Sequence, residues 1–173
     1  MLETLIKWTQ AFQTVGFSAA DMDELIRPEN LYNIRPVIIN CTVPPLVPTG
    51  LSIKSHQESG DWRWNPRTFL LVTKDQKEFS LEGVDLLEDL TNQPLLDTWL
   101  LNACVLDYLL THQNLIPESW RSLEVIFWGT IYEDGNKNQF VRSLYLDAVH
   151  GWRSNCISMF SKFDAKRPAA ISS

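Results

Sequence analysis

The sequence predicts an α+β domain: a mostly antiparallel sheet packed against a central apolar helix, with an N-terminal helical segment. Three observations carry this. Val125-Ile-Phe-Trp-Gly-Thr-Ile-Tyr132, a Glu133-Asp134-Gly135-Asn136 turn and Phe140-Val-Arg-Ser-Leu-Tyr-Leu146 read as a β-hairpin. The first run is apolar at odd positions (Val125, Phe127, Ile131) and at even ones (Ile126, Trp128, Tyr132), so both faces of that strand are covered. The stretch from Trp99 to Leu110 is apolar almost all round, which puts a helix at the centre of the body.

The remaining elements are read in chain order. Leu2, Leu5, Ile6, Trp8, Phe12 and Val15 recur at helical spacing, and Gly16 closes that helix. Ser18-Ala-Ala-Asp21 opens a short second helix through Met22, Leu25 and Ile26, which Pro28 ends. Val37-Ile-Ile-Asn-Cys41 reads as a strand. Pro44, Pro45, Pro48 and Gly50 make the following stretch extended or turning. Leu51, Ile53 and Ser55 alternate with polar residues, and Phe69-Leu-Leu-Val72 is a second apolar strand, with a polar and aromatic loop between them. Ser80 is placed to cap a helix carrying Val84, Leu86, Leu87 and Leu90. After Pro94 the apolar helix is expected from near Asp97. Beyond the hairpin a further strand runs from Trp152 to Phe160, and a Lys/Pro/Ala/Ser tail follows. The chain is read as one α+β domain over residues 1–173, with 1–36 as an N-terminal helical subdomain.

Its 173 residues, 45% hydrophobic with seven Trp and eight Phe, supply ample core material. Each fully buried large side chain contributes roughly 1.5–3 kcal/mol. A formal charge of −6 argues against a protein built to grip nucleic acid, which needs clustered Lys and Arg. The charge is uneven. Ser80 to Trp120 holds no Lys or Arg but carries Glu82, Asp85, Glu88, Asp89, Asp97, Asp107 and Glu118. After Gly135 the balance reverses, with Lys137, Arg142, Arg153, Lys162, Lys166 and Arg167. Attraction between these halves within the fold is the simpler reading; a two-sided surface for partners is the sharper one.

Cys41, Cys104 and Cys156 lack any CxxC or Cys/His spacing, so they read as buried free thiols in a reducing compartment. No metal and no cofactor is expected. The N-terminus lacks a signal-peptide pattern, and Leu95–Leu110 is too short and too polar to span a bilayer. The expected setting is cytoplasmic, away from membranes.

The densest functional groups lie in His56-Gln-Glu58-Ser-Gly-Asp61-Trp62-Arg63-Trp64-Asn-Pro-Arg67. A His near two carboxylates can act as acid or base, and Arg63 with Arg67 can hold an anion. The same residues also describe a contact loop for a partner, or a solvated hairpin tip with Trp62 or Trp64 folded onto the sheet. The Trp-Arg-Trp alternation admits base stacking, but Glu58, Asp61 and the net charge work against it. Asp107, Tyr108 and His112 read as a satisfied polar seam, and His150 as an exposed turn residue. There is no GxSxG, no HExxH and no glycine-rich phosphate loop.

Val105-Leu-Asp-Tyr-Leu-Leu110, Leu115-Ile-Pro-Glu-Ser-Trp120, Phe127-Trp-Gly-Thr-Ile-Tyr132, Val141-Arg142, Leu144-Tyr145, Asp147 and Pro168-Ala-Ala-Ile171 together resemble a group of small uncharacterised prokaryotic proteins. The likeness extends to Val47-Pro48, His56, Trp64 and Pro66. It implies a shared fold and a prokaryotic or mobile-element source, and it supplies no activity. In that group the strand after the Asp147-like position is richer in Trp than Trp152–Phe160 is here.

The leading expectation is therefore a non-enzymatic binding or accessory protein acting through protein–protein contact, with His56, Glu58, Asp61, Trp62, Arg63, Trp64 and Arg67 as the contact residues. The alternatives are a small enzyme using His56 with Glu58 or Asp61, and an acidic inhibitor imitating nucleic-acid charge through Glu82, Asp85, Glu88 and Asp89.

Overall fold

The computed structural model describes residues 37–64, 69–92 and 100–171. The chain divides into two compact units, Met1–Val37 and Ile38–Ser173. The helices anticipated over residues 1–36 lie outside the described residues. The described strands and helices make up the second unit, the first strand beginning at the boundary.

In chain order the strands are β1 (Val37–Asn40), β2 (Ser52–His56), β3 (Asp61–Trp64), β4 (Phe69–Leu71), β5 (Leu81–Glu82), β6 (Glu124–Glu133), β7 (Gln139–Asp147), β8 (Gly151–Ser158), β9 (Lys162–Phe163) and β10 (Ala169–Ile171). The α-helices among the described residues are α1 (Lys74–Glu78), α2 (Gly83–Thr91) and α3 (Ala103–Thr111). The structure is mixed α and β, with mostly antiparallel sheets. The main sheet runs β4-β10-β6-β7-β8, with β2 also paired to β6; β1 with β3 and β5 with β9 form two small ribbons. Within the main sheet only β10 against β6 is parallel.

The hairpin is where the residues predict it. Asp134 closes its turn by accepting the Asn136 and Asn138 amides at 2.8 and 2.9 Å, and Lys137 takes the left-handed φ of 69° that the turn requires. β6 is buried from Val125 to Tyr132, as apolar residues on both faces imply. On one face Ile126, Trp128 and Ile131 join Leu86 and Leu90 of α2, Met159 and Phe163. On the other, Phe127 meets Trp120 edge-on at 6.5 Å, and α3 packs across β6, β7 and β8.

Three expectations need correction. The central helix starts at Ala103, because Leu100 to Asn102 are extended. Leu100 bridges Ile171, the Leu101 amide donates to the Ala170 carbonyl at 3.0 Å, and Asn102 caps the helix. Ser80 caps nothing: Leu81 and Glu82 pair with β9, and α2 begins after Glu82 without a side-chain cap. The tail is not a tail. Ala169, Ala170 and Ile171 are buried as β10, whose small side chains fit between β4 and β6. The structure also has an unanticipated helix, α1, which Thr73 and Gln76 open as a reciprocal capping box.

Candidate functional site

The site begins with a break in the sheet. From Phe127 opposite Arg142 to Ile131 opposite Val141, β6 advances four residues while β7 advances one. Trp128, Gly129 and Thr130 bulge out of that pairing, a device that re-aims side chains. The other edge of β6 is shared, with β10 beside Ile126 and β2 beside Thr130 to Glu133. Gly129 lies in the gap between them. Its amide donates to the Leu101 carbonyl at 3.0 Å, and its carbonyl accepts from the Gln57 amide at 2.7 Å. A Cβ here would lie 2.5 Å from the Leu100 carbonyl oxygen, so only glycine lets the two backbones meet.

This contact delivers the start of α3 to the end of β2. The Asn102 side-chain oxygen accepts from the Cys104 and Val105 amides, at 3.1 and 3.4 Å. Its side-chain nitrogen donates to the Gln57 carbonyl at 2.8 Å and to Ser59 Oγ at 3.3 Å. One buried amide therefore caps the helix and fastens the β2–β3 loop. Thr130 Oγ1 accepts from the Ala103 amide at 3.0 Å and lies 2.8 Å from His56 Nδ1. Thr130 is fully buried with no other partner among the described residues, so its hydroxyl proton goes to Nδ1. His56 then carries its proton on Nε2, which sits 3.8 Å from Cys104 Sγ. Burial lowers the His56 pKa, while the charge of Glu58 opposes that shift, so the ring is neutral at pH 7.

Cys104 also donates to the Val43 carbonyl at 3.3 Å. Cys41 is lowered to about 7, foremost by the neighbouring Cys104 side chain, with burial opposing and Ser59 and Asn102 assisting. Cys104 is raised, because the neighbouring Cys41 and its own burial both favour the protonated thiol. Nothing in the cysteine spacing signals this pair: 41 and 104 become neighbours only because the turn after β1 lies against the start of α3.

Beside the cluster lies a recess of about 370 Å³, walled by Trp62, Leu100, Leu101 and Val105 and edged by Glu58, Ser59 and Asn102. A second hollow, of about 250 Å³, opens between the turn after β1 and α3, lined by Ile39, Val43, Pro44, Cys104 and Tyr108. The turn is latched from beneath. Asp107 accepts from the Leu46 amide and from Arg142, each at 2.7 Å, while Tyr132 donates to the Leu46 carbonyl at 3.0 Å. Burial works against the Arg142 charge, but the Asp107 carboxylate more than offsets it and raises its pKa.

The expected contact residues separate. His56 is half-buried at the end of β2, and its described partners are Thr130 and Cys104. Among the described residues no hydrogen bond or ion pair joins it to Glu58 or Asp61, both exposed. Trp62 is half-buried in the recess wall and Arg63 is exposed. Trp64 is only 5% exposed, held edge-on between Trp62 and Trp120 at 5.5 and 6.1 Å. Arg67 lies outside the described residues. Asp107 and Tyr108 do form a seam: Asp107 pairs with Arg142, and Tyr108 stacks on His112 at 4.0 Å. His150 is exposed beside Asp147. The acidic middle meets the basic end in Asp107–Arg142 and Glu82–Lys162 pairs, at 2.7 and 3.1 Å.

Among the described residues no cluster of three or more His, Cys, Asp or Glu suits a metal, and no helix is long and apolar enough to cross a membrane. No family model, curated protein or solved structure matches the chain.

Proposed function

We propose that the protein is a non-enzymatic binding protein that takes an apolar side chain of a partner protein into the recess between the β2–β3 loop and the start of α3. The observation that carries this reading is the recess itself, about 370 Å³ with walls of Trp62, Leu100, Leu101 and Val105. Its volume is at the small end of ligand pockets, roughly 300–1,000 Å³, and suits a single anchoring residue. Half-buried Trp62 is the type of side chain that dominates interface energetics. Exposed Glu58 on the β2–β3 turn and Asp61 at the start of β3 favour a partner segment with Lys or Arg beside that anchor. The same proposal includes a prokaryotic or mobile-element origin and a cytoplasmic setting, in keeping with three free thiols. Acid–base catalysis by His56 with Glu58 or Asp61 has less support, since His56 has its ring nitrogens beside Thr130 and Cys104.

Display selection of short peptides against the full-length protein tests this. The expected binders share an apolar residue flanked by a basic one. Trp62→Ala weakens them about thirtyfold, the size of a ~2 kcal/mol hot spot. Glu58→Lys weakens them less, and Val149→Ser on the exposed turn leaves them unchanged. A selection without a shared pattern, or binders indifferent to Trp62→Ala, would overturn the proposal.

A further inference from the structure

Independently of the recess, four arrangements converge on the second hollow. Cys104 is the second residue of α3, and its amide is held by Asn102, so its sulfur lies in the first turn, where the helix dipole favours a thiolate. His56 presents Nε2 at 3.8 Å from that sulfur, oriented by Thr130. The turn after β1 wraps the same sulfur: Val43, two residues beyond Cys41, accepts its S–H at 3.3 Å. Ile39 and Asn40, just before Cys41, line the hollow on which Cys104 opens. Cys41 therefore sits between two stretches of chain that flank the Cys104 thiol, Ile39 and Asn40 before it and Val43 after it. At about 250 Å³ the hollow admits a small oxidant, since a water molecule occupies about 30 Å³ of liquid.

We infer that Cys41 and Cys104 are a working dithiol, oxidised by a small peroxide to an intramolecular disulfide, with Cys104 the attacking sulfur and His56 its hydrogen-bond donor. The pair first loses one proton to solvent. The remaining proton rests on Cys104; in the less populated but reactive form it has crossed to Cys41, and the charge lies on the sulfur that faces the hollow and the His56 Nε2–H. That thiolate attacks a peroxide oxygen. An S–O bond forms, the O–O bond breaks, and the departing hydroxide takes a proton from solvent to become water. Cys41 then attacks the Cys104 sulfenic sulfur. The S–S bond forms, the S–O bond breaks, and hydroxide leaves with the Cys41 proton as a second water. Two thiols are oxidised by two electrons and one peroxide is reduced. Cys156 stands apart on β8, where burial raises its pKa, so it remains a thiol and serves as an internal control.

The test treats the reduced, full-length protein with a slight excess of hydrogen peroxide, unfolds it, and labels the remaining thiols before mass spectrometry and peptide mapping. The expected product has lost two of its three thiols and the mass of two hydrogens, carries a Cys41–Cys104 crosslink, and returns to the starting mass with dithiothreitol. Cys156→Ser gives the same crosslink. Cys104→Ser gives none, and His56→Ala slows its formation. The oxidation rate climbs through pH 7, where the pair releases its first proton. The inference is overturned if all three thiols survive, if oxidation stops at an uncrosslinked acid, or if the disulfide involves Cys156 or joins two chains. A rate that rises only near the ordinary thiol value of 9.0 would also overturn it, since the two thiols would then titrate independently. Because wild type and Cys156→Ser both report the crosslink, a Cys104→Ser protein that fails to fold does not protect the idea.

Discussion

The two edges of β6 are built on opposite principles. Along one, β7 pairs from Glu124 to Phe127 and again from Ile131 to Glu133, and apolar side chains cover both faces. Along the other, β10 and β2 each take part of the strand and leave Gly129 to a loop. A ladder of the first kind satisfies its own backbone groups and asks little of side chains. Where the ladder divides, the backbone must find partners in side chains and loops. Asn102 and Thr130 meet that need, and in doing so they fix His56 and Cys104. The site is a by-product of the divided edge.

That contrast can be broken at several points. The largest effect is expected at the latch beneath the hollow, where Asp107→Ala leaves Arg142, 3% exposed, without its counter-charge. Losing one partner of such a pair costs about 3–5 kcal/mol, read as a lower urea midpoint. Next is Gly129→Ala. Its Cβ would meet backbone rather than a movable side chain, so about 3 kcal/mol is expected, the upper end for overpacking. A loss below about 0.5 kcal/mol would mean the two backbones part easily there and the divided edge is soft. Asn102→Ala removes a cap and strands the Gln57 carbonyl, for about 2 kcal/mol. Amide exchange should then quicken at Cys104 and Val105 while the β6–β7 ladder stays protected; uniform quickening would erase the contrast between edges.

The smallest effect per step is a pH dependence. Folded Cys41 is lowered to about 7 from 9.0, so between those values the unfolded chain holds more protons and stability rises with pH. The slope is about 1 kcal/mol per pH unit. Above 9.0 the folded state retains the proton on Cys104, whose pKa is raised, and stability falls again. Reduced protein should therefore be most resistant to urea near pH 9.0, and Cys41→Ser should flatten the rise.

Much of the β6–β7 half is legible from the residues alone, because covered strands and Gly/Asn turns write themselves in short local runs. The hairpin and the strand expected from Trp152, found at Gly151–Ser158, are of this kind. The divided edge is not local. Asn102 caps a helix from inside an apolar run that reads as continuous helix, and its role depends on Gln57 and Ser59 across the fold. Ala169 and Ala170 look like tail residues because nothing nearby shows how narrow their slot between β4 and β6 is. Cys41 and Cys104 carry no spacing signal, since a tertiary contact, not a motif, makes them neighbours. His56 is identifiable as a residue worth watching, but its partners are a threonine and a thiol instead of the nearby acids.

The position of β10 has a consequence for biosynthesis. It is inserted between β4 and β6, so the middle of the sheet is filled only by residues 169–171, which are synthesised after every other strand of that sheet. Until then a nascent chain would expose unpaired amides and carbonyls beside Ile126, a template for pairing with other chains. Completion of the sheet, and with it the register of Leu100 and Leu101 against Ala170 and Ile171, is accordingly a late event in folding.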